Sequence, residues 1–214
     1  MKSFVLMALI GAIAFSIHAG EADGVVFKND FEKEDEGKEA SKLDVLVIGE
    51  GEFKVTKDGA GKVLELAAAP LETFGLLFGP TELDNVDVQL RTFGTSTGRR
   101  FPVSAVGVNG VGGFLLRLNP AKKAIELLKG DEVKKSAPYA WTSGTWTVLR
   151  IAIKKSGAGW VIQGKAWEQG KPEPAEWISF EDSEKPTAGR ATLWGIPYST
   201  TPIRFDDLQI SKIK

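Results

Sequence analysis

The sequence predicts an all-β fold built from two antiparallel layers, and three observations carry that expectation. Short stretches of alternating apolar and polar residues recur along the chain, and turn residues separate them at intervals suited to strands. No stretch holds the period of an amphipathic helix.

The strands expected in the first half are Val25 to Glu32, Val45 to Ile48, Glu52 to Lys57, Val63 to Ala67, Phe74 to Phe78, Val86 to Phe93 and Val103 to Asn109. Those in the second half are Phe114 to Leu118, Ala124 to Lys129, Thr145 to Lys154, Trp160 to Trp167, Ala175 to Phe180, Arg190 to Gly195 and Ile203 to Ile213. The turns carry their own chemistry. Lys57-Asp58-Gly59-Ala60-Gly61, Asn109-Gly110-Val111-Gly112-Gly113, Asn119-Pro120 and Ser156-Gly157-Ala158-Gly159 supply the positive-φ and pre-bent residues that hairpins need. The charged run from Glu32 to Lys42 has almost no apolar content and reads as a solvated loop.

Alternation also assigns faces. Leu149, Ile151 and Ile153 share one side of their strand while Arg150 points to the other; Val86, Val88 and Leu90 stand in the same way against Gln89 and Arg91. Phe114, Leu116 and Leu118 likewise oppose Leu115 and Arg117. If these strands share a sheet, its outer surface collects Gln89, Arg91, Arg117, Asn119, Trp146 and Arg150, with Gln163 nearby and Arg99 and Arg100 in a neighbouring loop. Planar guanidinium forks pair well with carboxylates and sulfates. The competing expectation is a solvated face with cross-strand pairs from the arginines to Glu126 or Asp87.

Lys2, the apolar run Phe4 to Ile10 and the small residues ending at Ala19 have the form of a secretory signal peptide, too short to span a bilayer. Cleavage after Ala19 is expected, with Ala22 as the alternative; loss of the first 19 of 214 residues leaves 195, a size that suits one all-β domain over residues 20–214. The chain contains no cysteine, so neither disulfides nor a lipid-anchored cleavage site can form. Its one histidine, His18, lies in the leader. Thiol chemistry, haem ligation, zinc sites and Ser-His-Asp hydrolysis therefore have no residues to work with in residues 20–214. Near-balanced charge lacks the basic excess that a nucleic-acid partner calls for.

The second half carries a resemblance. Trp146-Thr-Val-Leu149-Arg150-Ile151-Ala-Ile153, Lys165-Ala-Trp167-Glu-Gln-Gly170-Lys-Pro-Glu173-Pro174-Ala-Glu-Trp177, Gly189 and Ile203-Arg204-Phe205-Asp206-Asp207-Leu208-Gln209-Ile210 follow in a characteristic order. Together they resemble the concanavalin A-like lectin/glucanase superfamily, in particular laminin G-like exported bacterial domains. The resemblance is clearest over residues 74–214, and Phe27-Lys-Asn-Asp30-Phe31-Glu32 looks like the family's opening strand. It implies a two-sheet antiparallel jelly-roll sandwich whose first and last strands are neighbours. It also implies a polysaccharide or other glycan as partner, acidic if the arginines converge. A fold does not fix a function, so three classes stay open: a non-catalytic glycan-binding module, a carboxylate-dependent glycoside hydrolase and a structural or adhesive exported domain.

Glucanases of the superfamily carry Glu-x-Asp-x-x-Glu on one strand; the nearest match, Glu82-Leu-Asp84-Asn-Val-Asp87, ends in the shorter Asp and reads as structural. Asp30 and Glu32 would meet Asp206 and Asp207 if the terminal strands pair. Related sugar-binding jelly rolls hold a structural calcium between such segments; the alternative is that the carboxylates cap local backbone. All six tryptophans fall between Trp141 and Trp194, and most are expected to pack. Tyr139 and Trp141 in one loop and Tyr198 in another are the aromatic residues expected to be exposed for ligand contact.

Overall fold

The computed structural model describes residues 24–38, 45–49, 51–69, 71–82 and 84–213. The expected leader and part of the charged stretch before residue 45 lie outside these. Two antiparallel sheets face each other. The first contains β1 (Val25–Asn29), β3 (Phe53–Asp58), β4 (Gly61–Leu66), β6 (Val86–Phe93), β11 (Trp146–Ser156), β12 (Gly159–Glu168), β13 (Ile178–Asp182) and β15 (Ile203–Lys212). Its order is β13-β12-β11-β6-β15-β4-β3, and β1 pairs along the second half of β15. The second sheet contains β2 (Val45–Ile48), β5 (Phe74–Glu82), β7 (Val103–Val108), β8 (Phe114–Asn119), β9 (Ala124–Lys129), β10 (Glu132–Pro138) and β14 (Gly189–Ile196), in the order β10-β9-β8-β7-β14-β5-β2. First and last strands are neighbours, as the resemblance implies. The architecture is a concanavalin A-like jelly-roll sandwich.

The core lies between the sheets and is filled by the faces that alternation assigned to it. Val88, Leu90, Leu149, Ile151 and Ile153 from the eight-stranded sheet are fully buried against Val106, Leu116, Leu127 and Leu193 from the seven-stranded one. Burying each such aliphatic side chain contributes about 1.5 to 3 kcal/mol. Contact is close enough that a Cβ at Gly164 of β12 would stand 2.7 Å from Leu116 Cδ1. At one end Thr92 donates to Ser104 across the core at 2.9 Å, satisfying both hydroxyls where water cannot reach.

The expected strand bounds hold closely for β2, β6 and β9, and β10 is an addition. Glu132-Val-Lys-Lys-Ser-Ala-Pro has one large apolar side chain and a terminal proline, so periodicity gives no strand there. It is an edge strand, paired only with β9 and exposed along nearly its whole length. Charge and proline are what such an edge needs to avoid pairing with another chain. β13 begins at Ile178, later than expected, because residues 169–177 fold as a loop over the neighbouring face. The Asn109-Gly110 pair turns the chain after β7, with φ of 67° and 78°.

Candidate functional site: a groove on the seven-stranded sheet

The outer face of the eight-stranded sheet carries Gln89, Arg91 and Arg150, and nearly all of its charge is internally matched. Arg150 Nε donates to both Asp87 oxygens at 3.0 and 2.9 Å, its Nη1 donates to Glu173 at 2.6 Å, and its guanidinium covers the Trp177 ring at 5.4 Å. Lys165 is buried beside it, donating to Glu173 and to the Pro174 carbonyl with its ammonium 4.1 Å from the Trp177 ring centre. Burial pushes the Asp87 carboxyl above its ordinary value despite Arg150. Glu173 resists the same effect, because Lys165 and Arg150 hold it below.

Arg91 is engaged in a second cluster. It donates to Gln169 at 2.8 Å and to Asp206 at 2.5 Å, pairs with Asp207 at 3.0 Å, and lies 4.6 Å above the Trp146 ring. Asp206 is 3% exposed, and burial raises its carboxyl to about 6 against the pull of Arg91 and the Asp207 N–H. Gln89 stands between these clusters, paired with Arg150 of β11 on one side and Gln209 of β15 on the other.

Arg117 is elsewhere. It lies in β8, on the outer face of the other sheet, so the expected platform of Arg91, Arg117 and Arg150 is not assembled. The reason is topological: all three point away from the core, but the core has two sides. The competing expectation describes the molecule better, since Arg117 pairs with Glu126 and Arg150 with Asp87 across adjacent strands.

The loop aromatics divide. Tyr139 and Trp141 are partly buried against the core, Trp141 edge-on to Phe101 at 6.4 Å, and burial raises the Tyr139 hydroxyl above its ordinary value. Both thus keep part of their surface exposed while packing against the core. Tyr198 is 40% exposed in the loop after β14.

The carboxylates expected to bind calcium are also not gathered. Although β1 and β15 pair, Asp30 accepts from the Glu32 N–H at 3.4 Å, Glu32 from the Lys62 N–H at 3.0 Å, and Asp206 and Asp207 both face Arg91. Among the described residues no three Asp, Glu, His or Cys side chains form a metal-holding group. A calcium shell of six to eight oxygens does not fit these four residues. The Glu82, Asp84 and Asp87 pattern spans two strands of different sheets. Glu82 pairs with Lys212, and Asp84 accepts from Trp160 Nε1 at 2.9 Å.

A groove of about 410 Å³ lies on the outer face of the seven-stranded sheet. Trp194 of β14, Ala105 of β7 and Arg117 of β8 lie side by side across three adjacent strands and form its middle. Val103 and Ile196 line one end; Val111, Leu115, Leu128 and the Gly130-Asp131 turn line the other. Trp194 lies flat because its neighbour on β5 is Gly75, where a Cβ would stand 2.6 Å from indole Cε3. The indole Nε1 is buried without a partner among the described residues. An unpaired buried donor costs about 1 to 3 kcal/mol, which packing alone gives no reason to retain.

Arg117 is fixed from the side. Its Nε and Nη2 both reach Glu126 Oε2 at 2.8 Å, Lys122 takes Oε1 at 2.9 Å, and Asn119 donates to Oε2 at 3.3 Å. Burial of Glu126 works against ionisation, but these three donors prevail and hold it below its ordinary range. Glu126 is thus an anchor for Arg117 and carries no proton to donate at neutral pH. Sequence reasoning found Arg117 and missed Trp194. In β14 Ala191 and Leu193 turn inward and Thr192, Trp194 and Ile196 outward; alternation assigns the face, but it does not distinguish an outward tryptophan that lines a groove from one that only packs.

No protein-family model matches the chain, and no curated protein is similar to it in sequence. Its fold is similar to that of a protein of unknown function with a galectin-like fold from Bacillus subtilis, with a TM-score of 0.63 at 10% identity over 90% of this chain and 97% of that one. The carbohydrate recognition domain of Emp47p gives 0.59 at 7% identity, covering 91% of this chain and all of that one. The exoplasmic/lumenal domain of VIP36 in a Ca2+-bound form gives 0.55 at 11% identity, covering 89% and 90%. Likeness at such identities establishes the concanavalin A-like fold.

Proposed function

We propose that this concanavalin A-like jelly roll is an exported, non-catalytic carbohydrate-binding domain whose ligand lies in the groove between Trp194 and Arg117. One observation carries the reading: the Trp194 indole lies flat over Gly75 in an open groove, beside an arginine already fixed by Glu126. A flat indole offers a π-face to the C–H face of a sugar ring, and a fixed guanidinium offers donors to its hydroxyls with little ordering cost. Solved relatives of the same fold include a named carbohydrate recognition domain, which supports the reading by analogy.

Export is the part of the proposal that rests on the leader, residues 1–19, which lie outside the described residues. Among those described, no helix is long and apolar enough to cross a membrane. Hydrolysis by carboxylates is the weaker reading. It needs an acid and a second carboxylate facing each other, whereas Glu126 is held ionised by two cations.

A glycan array probed with the chain from residue 20 tests the proposal. The expected result is binding that Trp194→Ala weakens by about 2 kcal/mol, roughly 30-fold, as for a central aromatic anchor. Gly75→Ala, which forces the ring off its seat, is expected to weaken it about tenfold without removing any polar group. Binding to no glycan would replace this reading with a structural or adhesive domain.

A further inference from the structure

We infer that the groove takes a neutral sugar joined to an apolar group, an alkyl or acylated glycoside, rather than an acidic or long unsubstituted polysaccharide. This rests on the carbohydrate reading and adds the ligand's class. Charge is the first argument. Arg117 and Lys122 are balanced by Glu126 and Asp131, and Arg117 already shares one Glu126 oxygen through two of its nitrogens. A carboxylate or sulfate entering here would meet no net positive field, and Asp131 would oppose it at the groove's end.

The walls of the groove divide by chemistry. Only the middle, between Trp194 and Arg117, offers a ring face and a polar side chain together. Two strand spacings, about 9.6 Å, separate their backbones, with the small Ala105 between: room for one sugar ring. Beyond Arg117 the walls are Leu115, Leu128 and Val111. A second sugar there would leave hydroxyls without partners, at about 1 to 3 kcal/mol each, whereas a methylene chain would gain about 0.8 kcal/mol per buried CH2. Val111 is 51% exposed at the rim, an aliphatic wall waiting for apolar cover.

Titration calorimetry of the chain from residue 20 with methyl and octyl β-glycosides of glucose, galactose and mannose, below micelle-forming concentrations, decides it. For a sugar that binds, the octyl glycoside is expected to bind at least about tenfold tighter than the methyl. Val111→Asp, at an exposed loop position that the fold does not depend on, is expected to abolish that preference, bringing the ratio of octyl to methyl affinities to about one. Equal affinity of methyl and octyl glycosides would overturn this inference and leave carbohydrate binding standing. Octanol binding as tightly as the octyl glycoside would overturn the sugar half and the reading beneath it, as would failure of every glycoside together with a blank array.

Discussion

The two outward faces of the sandwich carry opposite kinds of surface. The eight-stranded sheet shows Arg91, Arg150, Arg204 and Lys165 among Phe93, Trp146, Trp167 and Trp177, which by composition is the better place to bind something polar. Each of these cations meets a carboxylate and an aromatic ring within its own sheet and loops. The seven-stranded sheet shows Arg117 paired with Glu126, one indole and a row of aliphatics around an open groove, with Arg190 and the β10 lysines outside its lining. Residue types that suit recognition serve recognition only where their bonding capacity is not already used. Loop 169–177 makes the difference, bringing Gln169, Glu173, Pro174 and Trp177 onto the first face.

The largest effect expected from this contrast is in pH dependence. Asp206 keeps its proton to about pH 6 in the fold against an ordinary 3.8. Between those values the folded chain binds more protons than the unfolded one, so stability falls as pH rises. The full contribution is present below about pH 4, and about 3 kcal/mol is lost by pH 7. Asp206→Asn is expected to flatten that slope, read as urea midpoints from pH 4 to 7; an unchanged slope would mean that Asp206 is not the group responsible. Glu126, on the other face, runs the opposite way. Its carboxyl is held below its ordinary value, so its stabilisation is present above about 4.5 and is lost as pH falls through the lower folded value.

Next in size is Arg150→Ala. It leaves the buried Asp87 carboxyl without its main partner, at a cost of about 2 kcal/mol; the figure stays below that of a fully buried pair because the Arg150 side chain is 31% exposed. Glycan binding is expected to be unchanged, since the groove is on the far side of the core. A variant that loses binding while keeping its melting midpoint would break the division between a structural face and a binding face. The smallest expected effect concerns metal. A chelator is expected to leave the melting midpoint where it was, because the four terminal carboxylates already face Arg91 or local N–H groups. A midpoint several degrees lower would place an ion at residues other than those four.

Much of the sandwich was legible residue by residue. Val88 and Leu90, Leu149 and Ile151, and Leu116 and Leu118 turn inward as their alternation requires, and Gln89, Arg150 and Arg117 turn outward. Where an aromatic ring takes a place on the outward side beside a polar residue, as Trp194 does after Thr192, or one large apolar side chain is left to alternate, as in Glu132–Pro138, the signal does not mark the position. Both failures sit at the seven-stranded sheet, one in the groove and the other at its edge. Local patterning reports burial, and these positions are set by partial exposure.

Period-two alternation depends only on neighbours along the chain, so the sequence alone determined that strands form and which side of each meets the core. The absence of cysteine, and of any histidine after His18, likewise needed no structure to restrict the chemistry. Only the tertiary structure decided that β6 and β11 share one sheet while β8 joins the other. Strand partnership is set by crossings between distant segments, and a side chain pointing outward can lie on either side of the same core.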